Sequence, residues 1–341
     1  MRQIRKQAAW IVLSAGFLAL ILDSKTALRG ASDGILLCIK TVIPSLFPFF
    51  LVSKLLTAAL TGAKIGILRP VCKFCKIPEG AESIFLIGIL GGYPIGAQCI
   101  HHAYTSNQIS KSNAQRMLGF CNNAGPAFLF GMVGQLFEHK LTVMLLWAIH
   151  VASAIITGII LPNKPANVAS SAPAAPISIG HAMQQSLWAM GSVCGWVIIF
   201  RVILNFANHW FLWLLPPNSQ HLISGVLELS NGCIDLFALN SQSTRFILSA
   251  LFLAFGGVCV LMQTTSVVSP SGLGLGMYIP GKLLQSAFSC MMAIPTANLL
   301  FPNEPKIHCI TLLLPAVVAV TVRIFLKYKE NNSSIPTLTG V

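Results

Sequence analysis

The chain is short of charge, and of acid above all. Of its 341 residues only nine are Asp or Glu, against 22 Lys or Arg, and charged residues make up 9% of the whole. Soluble globular chains carry roughly 25%, so this one cannot cover a water-facing surface of its size, and an ordinary soluble fold is excluded. No phosphate-binding GxxxxGK[ST] loop, no GxGxxG following a strand and no HExxH occurs, and no polar domain is present that could house an ATPase. No enzyme chemistry is therefore expected, and any energy coupling must draw on an ion gradient. The basic excess of +13 forms neither a long stripe nor an aromatic-interleaved patch, which argues against nucleic acid as a partner. Ten cysteines are scattered, mostly inside apolar runs, with no disulfide framework. Cys72 and Cys75 make a single CxxC without a second pair, so neither a metal nor another cofactor is expected.

What the chain does have is apolar length. Hydrophobic residues reach 55%, in runs at 8–22, 34–60, 82–104, 113–137, 141–161, 184–206, 219–240, 245–268, 281–299 and 307–327. Several reach the roughly 20 residues that cross a hydrocarbon core. The fold class expected is an all-α polytopic membrane protein in the lipid bilayer of a bacterial cell. The run 8–22 follows Arg2, Arg5 and Lys6 and precedes Asp23, Ser24 and Lys25 without a small-residue cleavage site, so it reads as a retained, signal-anchor-like helix. With its connector it occupies 1–33. Two similar parts follow, 34–161 and 182–300, divided by an Ala/Pro/Ser linker at 162–181, and 301–341 holds a last helix and a polar tail.

Basic residues orient the chain. The N-terminus, the loop with Lys64, Arg69, Lys73 and Lys76, and the C-terminal cluster Arg323, Lys327 and Lys329 all belong on the cytoplasmic side. Two topologies satisfy those anchors. In one, all ten runs cross. In the other, 82–104 and 219–240 enter and return as re-entrant hairpins, leaving eight crossings and placing Lys111, Arg116 and Lys164 inside. The hairpin form is the preferred one.

Each part carries a broken segment followed by a second glycine-marked one. These are "GGYPIGAQ" (91–98) and "GFCNNAGPAFLFG" (119–131), then "LELSNGCIDL" (227–236) and "FGGVCVLMQTT" (255–265). Superposing Gly96 on Gly232 brings Phe120 onto Phe255 within one residue. With re-entrant hairpins the second copy enters from the opposite face, the arrangement of an inverted-repeat bundle whose site lies near the midplane between discontinuous helices.

In that order, these four motifs, preceded by "IPSLFPFFLVSKLL" (43–56), resemble the YlbJ-type sporulation integral membrane proteins, a branch of the nucleoside-recognition or Gate family. The likeness runs from about Gly34 to Leu300. It implies a membrane domain akin to those of ferrous-iron permeases and concentrative nucleoside transporters, and a link to spore formation. The acidic and polar signature of the nucleoside transporters is absent. Pro126 falls later than in the iron-permease signature, so neither substrate carries over.

The residues themselves nominate a site. A helix broken inside a bilayer leaves backbone groups that protein, water or a ligand must satisfy. Gly92, Tyr93, Pro94, Gly96 and Gln98 surround the first break. Cys121, Asn122, Asn123 and Pro126 surround the second, where two adjacent amides can face one ligand only if the helix unwinds. Ser230, Asn231 and Gly232 follow Glu228, an acid set between apolar residues and a break and hence the candidate proton- or ion-coupling group. Gln263 is the polar counterpart in the fourth motif. Glu82, Asp235, His101 and His102 are weaker candidates, and Arg201 is expected to snorkel or pair with an acid. The function expected is ion-coupled secondary transport of a small polar solute or ion. The alternative is a non-transporting scaffold of a sporulation or envelope complex, and whether copies of the chain associate is left open.

Overall fold

The computed structural model describes residues 2–60, 65–163, 178–307 and 320–321, and every regular element among them is helical. Lys64, Lys164 and most of the 162–181 linker lie outside the described residues, as do nearly all of the run 307–327 and the C-terminal basic cluster. The helices are α1 (Arg2–Leu22), α2 (Ser24–Leu37), α3 (Ile43–Leu60), α4 (Arg69–Phe74), α5 (Glu82–Leu90), α6 (Ile95–Thr105), α7 (Lys111–Cys121) and α8 (Pro126–Gly131). After them come α9 (Lys140–Ile160), α10 (Ile179–Trp210), α11 (Pro217–Leu227), α12 (Leu229–Asp235), α13 (Gln242–Phe255), α14 (Gly257–Val268) and α15 (Tyr278–Leu300). Among the described residues, five helical stretches are long and apolar enough to cross a membrane: Ser24–Leu60, Lys140–Ile160, Ile179–Trp210, Gln242–Ser271 and Tyr278–Leu300. The molecule is a polytopic helical bundle. Its outer surface carries Trp10, Phe17, Trp188, Trp213 and Leu299, an exposure that suits hydrocarbon and not water.

The second apolar run begins earlier than its hydrophobicity predicts. Asp23 accepts the Thr26 N–H and starts α2 ten residues upstream of Gly34, so the polar stretch 24–33 is helical as well. A π turn at Cys38–Val42 joins α2 to α3 without a loop.

Four other runs are interrupted. Between α5 and α6, Gly92 takes a left-handed φ of 83° ahead of a cis Tyr93–Pro94 bond. Asn122–Gly125 separates α7 from α8, whose first residue is Pro126. Glu228, in extended backbone, separates α11 from α12. Gly256 and Gly257, both with positive φ, separate α13 from α14. Glycines thus stand at three of the four breaks and Glu228 at the other, two breaks in each part, in corresponding order. Phe120 and Phe255, equivalent by sequence, occupy the last turns of α7 and α13.

The α5–α6 segment folds back on itself. Gly88 of α5 and Gly96 of α6 both abut the Cys121 carbonyl. In the middle of α7, the buried Arg116 donates to the carbonyls of Cys75 and Lys76, just after α4, and to Gly158 and Leu161 at the end of α9. Arg116 therefore satisfies orphan carbonyls at two helix ends at once, and it ties the ends of α4 and α9 to the middle of α7. The α11–α12 segment closes the same way, with Gly225 against Gly232.

Long helices pack through small residues. A Cβ on Gly30 or Gly34 of α2 would lie 2.8 or 2.9 Å from backbone Cα atoms of α10, and one on Gly281 of α15 would lie 2.6 Å from Gly119 of α7. Such close approach is how membrane helices gain dispersion contacts where water exclusion supplies no drive.

Candidate functional site

The four breaks meet. A Cβ on Gly125 would lie 2.9 Å from the backbone of Gly92, so the first two breaks touch main chain to main chain. Gly257 stands against the backbone of Val226, Leu227 and Leu229, joining the fourth break to the third. Tyr93 closes the circuit: its ring lies beside Gly256, and its hydroxyl donates to the Leu253 and Ala254 carbonyls at 3.2 and 3.4 Å. Those carbonyls belong to the last turn of α13, left without intrahelical partners by the break.

A cavity of about 40 Å³ lies at this junction, walled by Tyr93, Ala124, Gly125, Glu228, Ser230 and Gln263, with Val42 and Leu46 of the π turn and α3 and Val193 and Val197 of α10. It has room for on the order of three waters. A second, larger cavity of about 340 Å³ adjoins it and shares Val193 and Gln263. Its lining holds Lys54, Pro94, Gln98, Gln185, Trp188 and Ser266. The Gln98 Oε1 atom is buried there without a hydrogen-bond partner. Gln263 thus lines both the smaller cavity, the chamber, and the larger one, the vestibule.

At the chamber wall three donors converge on Glu228. The Ser230 N–H reaches Oε1 at 3.1 Å, and the Asn231 N–H and Nδ2 reach Oε2 at 2.7 and 2.8 Å. Glu228 caps the first turn of α12, where the helix dipole also favours negative charge. Beyond it, Arg201 of α10 donates to Asn231 Oδ1 at 2.7 Å and pairs with Asp33 of α2 at 3.7 Å.

The sequence-nominated residues therefore divide. Tyr93, Glu228, Ser230 and Gln263 line the chamber, and Pro94, Gln98 and Gln263 the vestibule. Asn122, Asn123 and Asn231 are completely buried and bond to protein. Asn122 accepts from the Ala97 N–H and donates to Thr264, tying the second break to α6 and α14. Asn123 donates to the Phe120 carbonyl. Cys121, Gly92, Gly96, Gly232 and Pro126 shape the backbone. Glu82 accepts from the Gly80 N–H in the turn ahead of its helix, and His101 meets Ser271. Cys72 and Cys75 are buried free thiols, and among the described residues no group of three or more His, Cys, Asp or Glu is placed to hold a metal ion.

No family model and no solved structure matches the chain. Among curated proteins, the sporulation integral membrane protein YlbJ of Bacillus subtilis (strain 168) is 22% identical over 319 residues, covering 79% of this chain and 77% of that protein. This chain resembles YlbJ. The likeness read from the four motifs holds, and with it a bacterial multi-pass membrane protein.

The motifs that carry the likeness to YlbJ do not include Lys282, which sequence reading missed. It is 1% exposed on α15, donates to Asn123 Oδ1 at 3.2 Å and Gln285 Oε1 at 2.8 Å, and lies 5.1 Å from the centre of the Tyr93 ring. Its signal was available: a lone basic residue inside an apolar run, the reasoning that singled out Glu228 among the acids. Lys54, inside the run 34–60, carries the same signal. His150 of α9 is also buried, stacked on Trp147 and beside the Ala124 carbonyl without a well-formed hydrogen bond.

Proposed function

We propose that the protein is an ion-coupled secondary transporter of a small polar solute or ion, binding between the broken segments of two inverted repeats. One observation carries the reading: four helix breaks, two from each part, converge on one buried chamber with an acid in its wall. Backbone irregularity at membrane depth persists only where protein buries it or where it lines a path. The re-entrant form of 82–104 and 219–240 is supported by the lengths of α5 and α6, 9 and 11 residues. At 1.5 Å per residue each spans about 13–17 Å, half a bilayer. Arg116, touching both the chain before α5 and the end of α9, supports it too, because a crossing would separate those points by roughly 30 Å.

Charge along the route favours an acceptor-rich or anionic solute. Lys54 faces the vestibule and Lys282 backs the chamber, and among the described residues neither has an acidic partner. The charge of Glu228 is met by its three donors and, through Asn231, by Arg201. A proton arriving on Oε2 would displace one of those donors, so Glu228 is the coupling group of this reading. The chamber admits waters or a bare ion in the present conformation, and the vestibule falls within the ~300–1,000 Å³ usual for ligand pockets. The name of the relative, a sporulation protein, suggests the same setting for this chain.

Metabolites would first be compared between deletion and overexpressing cells, and whatever changes would then be offered to proteoliposomes. Glu228→Gln should reach the membrane in normal amount and lose coupled uptake. Unchanged uptake by that variant would remove Glu228 from the mechanism. If no solute moves while Ala substitutions at Ser230 and Gln263 leave the phenotype intact and changes in the 65–80 loop do not, the scaffold reading replaces transport.

A further inference from the structure

Each part of the chain ties a broken segment to a long unbroken helix by the same device. In the second part the device is Asn231, on the short α12, held by Arg201 of α10 at 2.7 Å. In the first it is Asn123, in the α7–α8 break, whose Oδ1 accepts from Lys282 at 3.2 Å and Gln285 at 2.8 Å, both on α15. Both asparagines are fully buried, and both stand a few residues from a chamber-lining position, Glu228 in one case and Ala124 in the other. We infer that Arg201 and Lys282 are latches: each holds one broken segment closed over the chamber through a single asparagine, and each can release its own segment independently.

Three features separate a latch from a plain strut. The basic groups come from rigid frames. Arg201 is anchored by Asp33, and α2 and α10 meet backbone to backbone at Gly30 and Gly34; Lys282 follows Gly281, which is pressed against Gly119. The segments they hold are short, 7 residues in α12 and 6 in α8, too few to be stable helices without tertiary contacts. The bonds themselves are charge-assisted and therefore strong, yet each passes through one asparagine side chain that a single rotamer change would free. A cation inside a bilayer bundle is costly enough to be retained mainly for function. Both latches are positioning residues, acting on the chamber through the asparagines.

The inference rests on the transport reading for why the segments should move, but its test needs no solute. Native cysteines report each link: Cys233 lies on α12, and Cys121, at the end of α7 two residues before Asn123, borders the break that Lys282 holds, both buried. The full-length protein in membrane vesicles would be alkylated with N-ethylmaleimide and each site followed by peptide mass spectrometry. Arg201→Gln should accelerate labelling of Cys233 about tenfold, the opening expected from losing one charge-assisted hydrogen bond, and leave Cys121 unchanged. Lys282→Met combined with Gln285→Met should do the reverse. Arg201→Lys, which keeps a donor and the charge, should restore most of the protection. Should Arg201→Gln fail to fold, Asn231→Ser opens the same link with a smaller change. Equal acceleration at both cysteines, or none at either, overturns the inference. Absence of any solute uptake by wild-type proteoliposomes would sink the transport reading and leave these results standing.

Discussion

Glu304 shows how much one side chain can organise outside the apolar spans. Its carboxylate accepts from the Ser241 hydroxyl and from the N–H groups of Gln242 and Ser243, closing the start of α13 from 60 residues away in sequence. Partial burial pushes its pKa up, but the Ser241 hydroxyl and the backbone donors outweigh that and hold it below the usual glutamate value of 4.5. A depressed carboxyl stabilises the fold above its unfolded value and loses that contribution as pH falls through the lowered folded value. Glu304→Gln should therefore cost about 1 kcal/mol of stability at neutral pH, the usual worth of a helix cap. The gap from wild type should close on acidification below about pH 4, as read by thermal unfolding in detergent at pH 7 and pH 3.5. At this scale the sequence was uneven. Glu228 stood out because acids are scarce, whereas Lys282 and Lys54 hid among 22 basic residues, most of which only mark loops.

For the helices, glycine is the informative residue, and position decides its meaning. Gly125 faces Gly92 with no room for a methyl group, while Gly195 on α10 has nothing within 4 Å of the place a Cβ would take. Gly125→Ala must push the first two breaks apart and should destabilise by about 1–3 kcal/mol, the usual cost of overpacking. Gly195→Ala should be neutral or stabilising by up to ~1 kcal/mol, since a helix interior prefers alanine. Melting temperatures in one detergent would compare the two, and equal effects would contradict the packing of the breaks. The motif glycines announced that helices break, because so many in an apolar run defeat helix propensity. They did not reveal that all four breaks touch, since the partners Gly92 and Gly125 come from different segments.

For the molecule as a whole, the open question is on which side the α6–α7 turn lies. If 82–104 is a hairpin, Asn107 faces the cytoplasm with Lys73; if it crosses, Asn107 faces out. Both side chains are exposed. A membrane-impermeant maleimide applied to intact spheroplasts should label neither Asn107→Cys nor Lys73→Cys, and both should react once the membrane is opened. External labelling of Asn107→Cys alone would restore the topology with ten crossings. Loop charges left the two topologies almost balanced, because Lys111 and Lys164 are too few to decide. The support that the proposed hairpin form draws from Arg116 depends on contacts with residues 75, 76, 158 and 161 that no local pattern encodes.

Composition and pattern were enough to fix the membrane, the helical class, the paired order of the breaks and the burial of Glu228 at one of them. Each of these follows from local physics: hydrophobic length, helix propensity and the cost of burying charge. Tertiary structure decided what the amides do. Asn122, Asn123 and Asn231, nominated as ligands because amides offer both donors and acceptors to a polar solute, bond here to Thr264, Lys282 and Arg201. A buried polar group takes whichever donor the fold brings within 3 Å, and only the packing of distant helices determines whether that donor is a solute or another side chain.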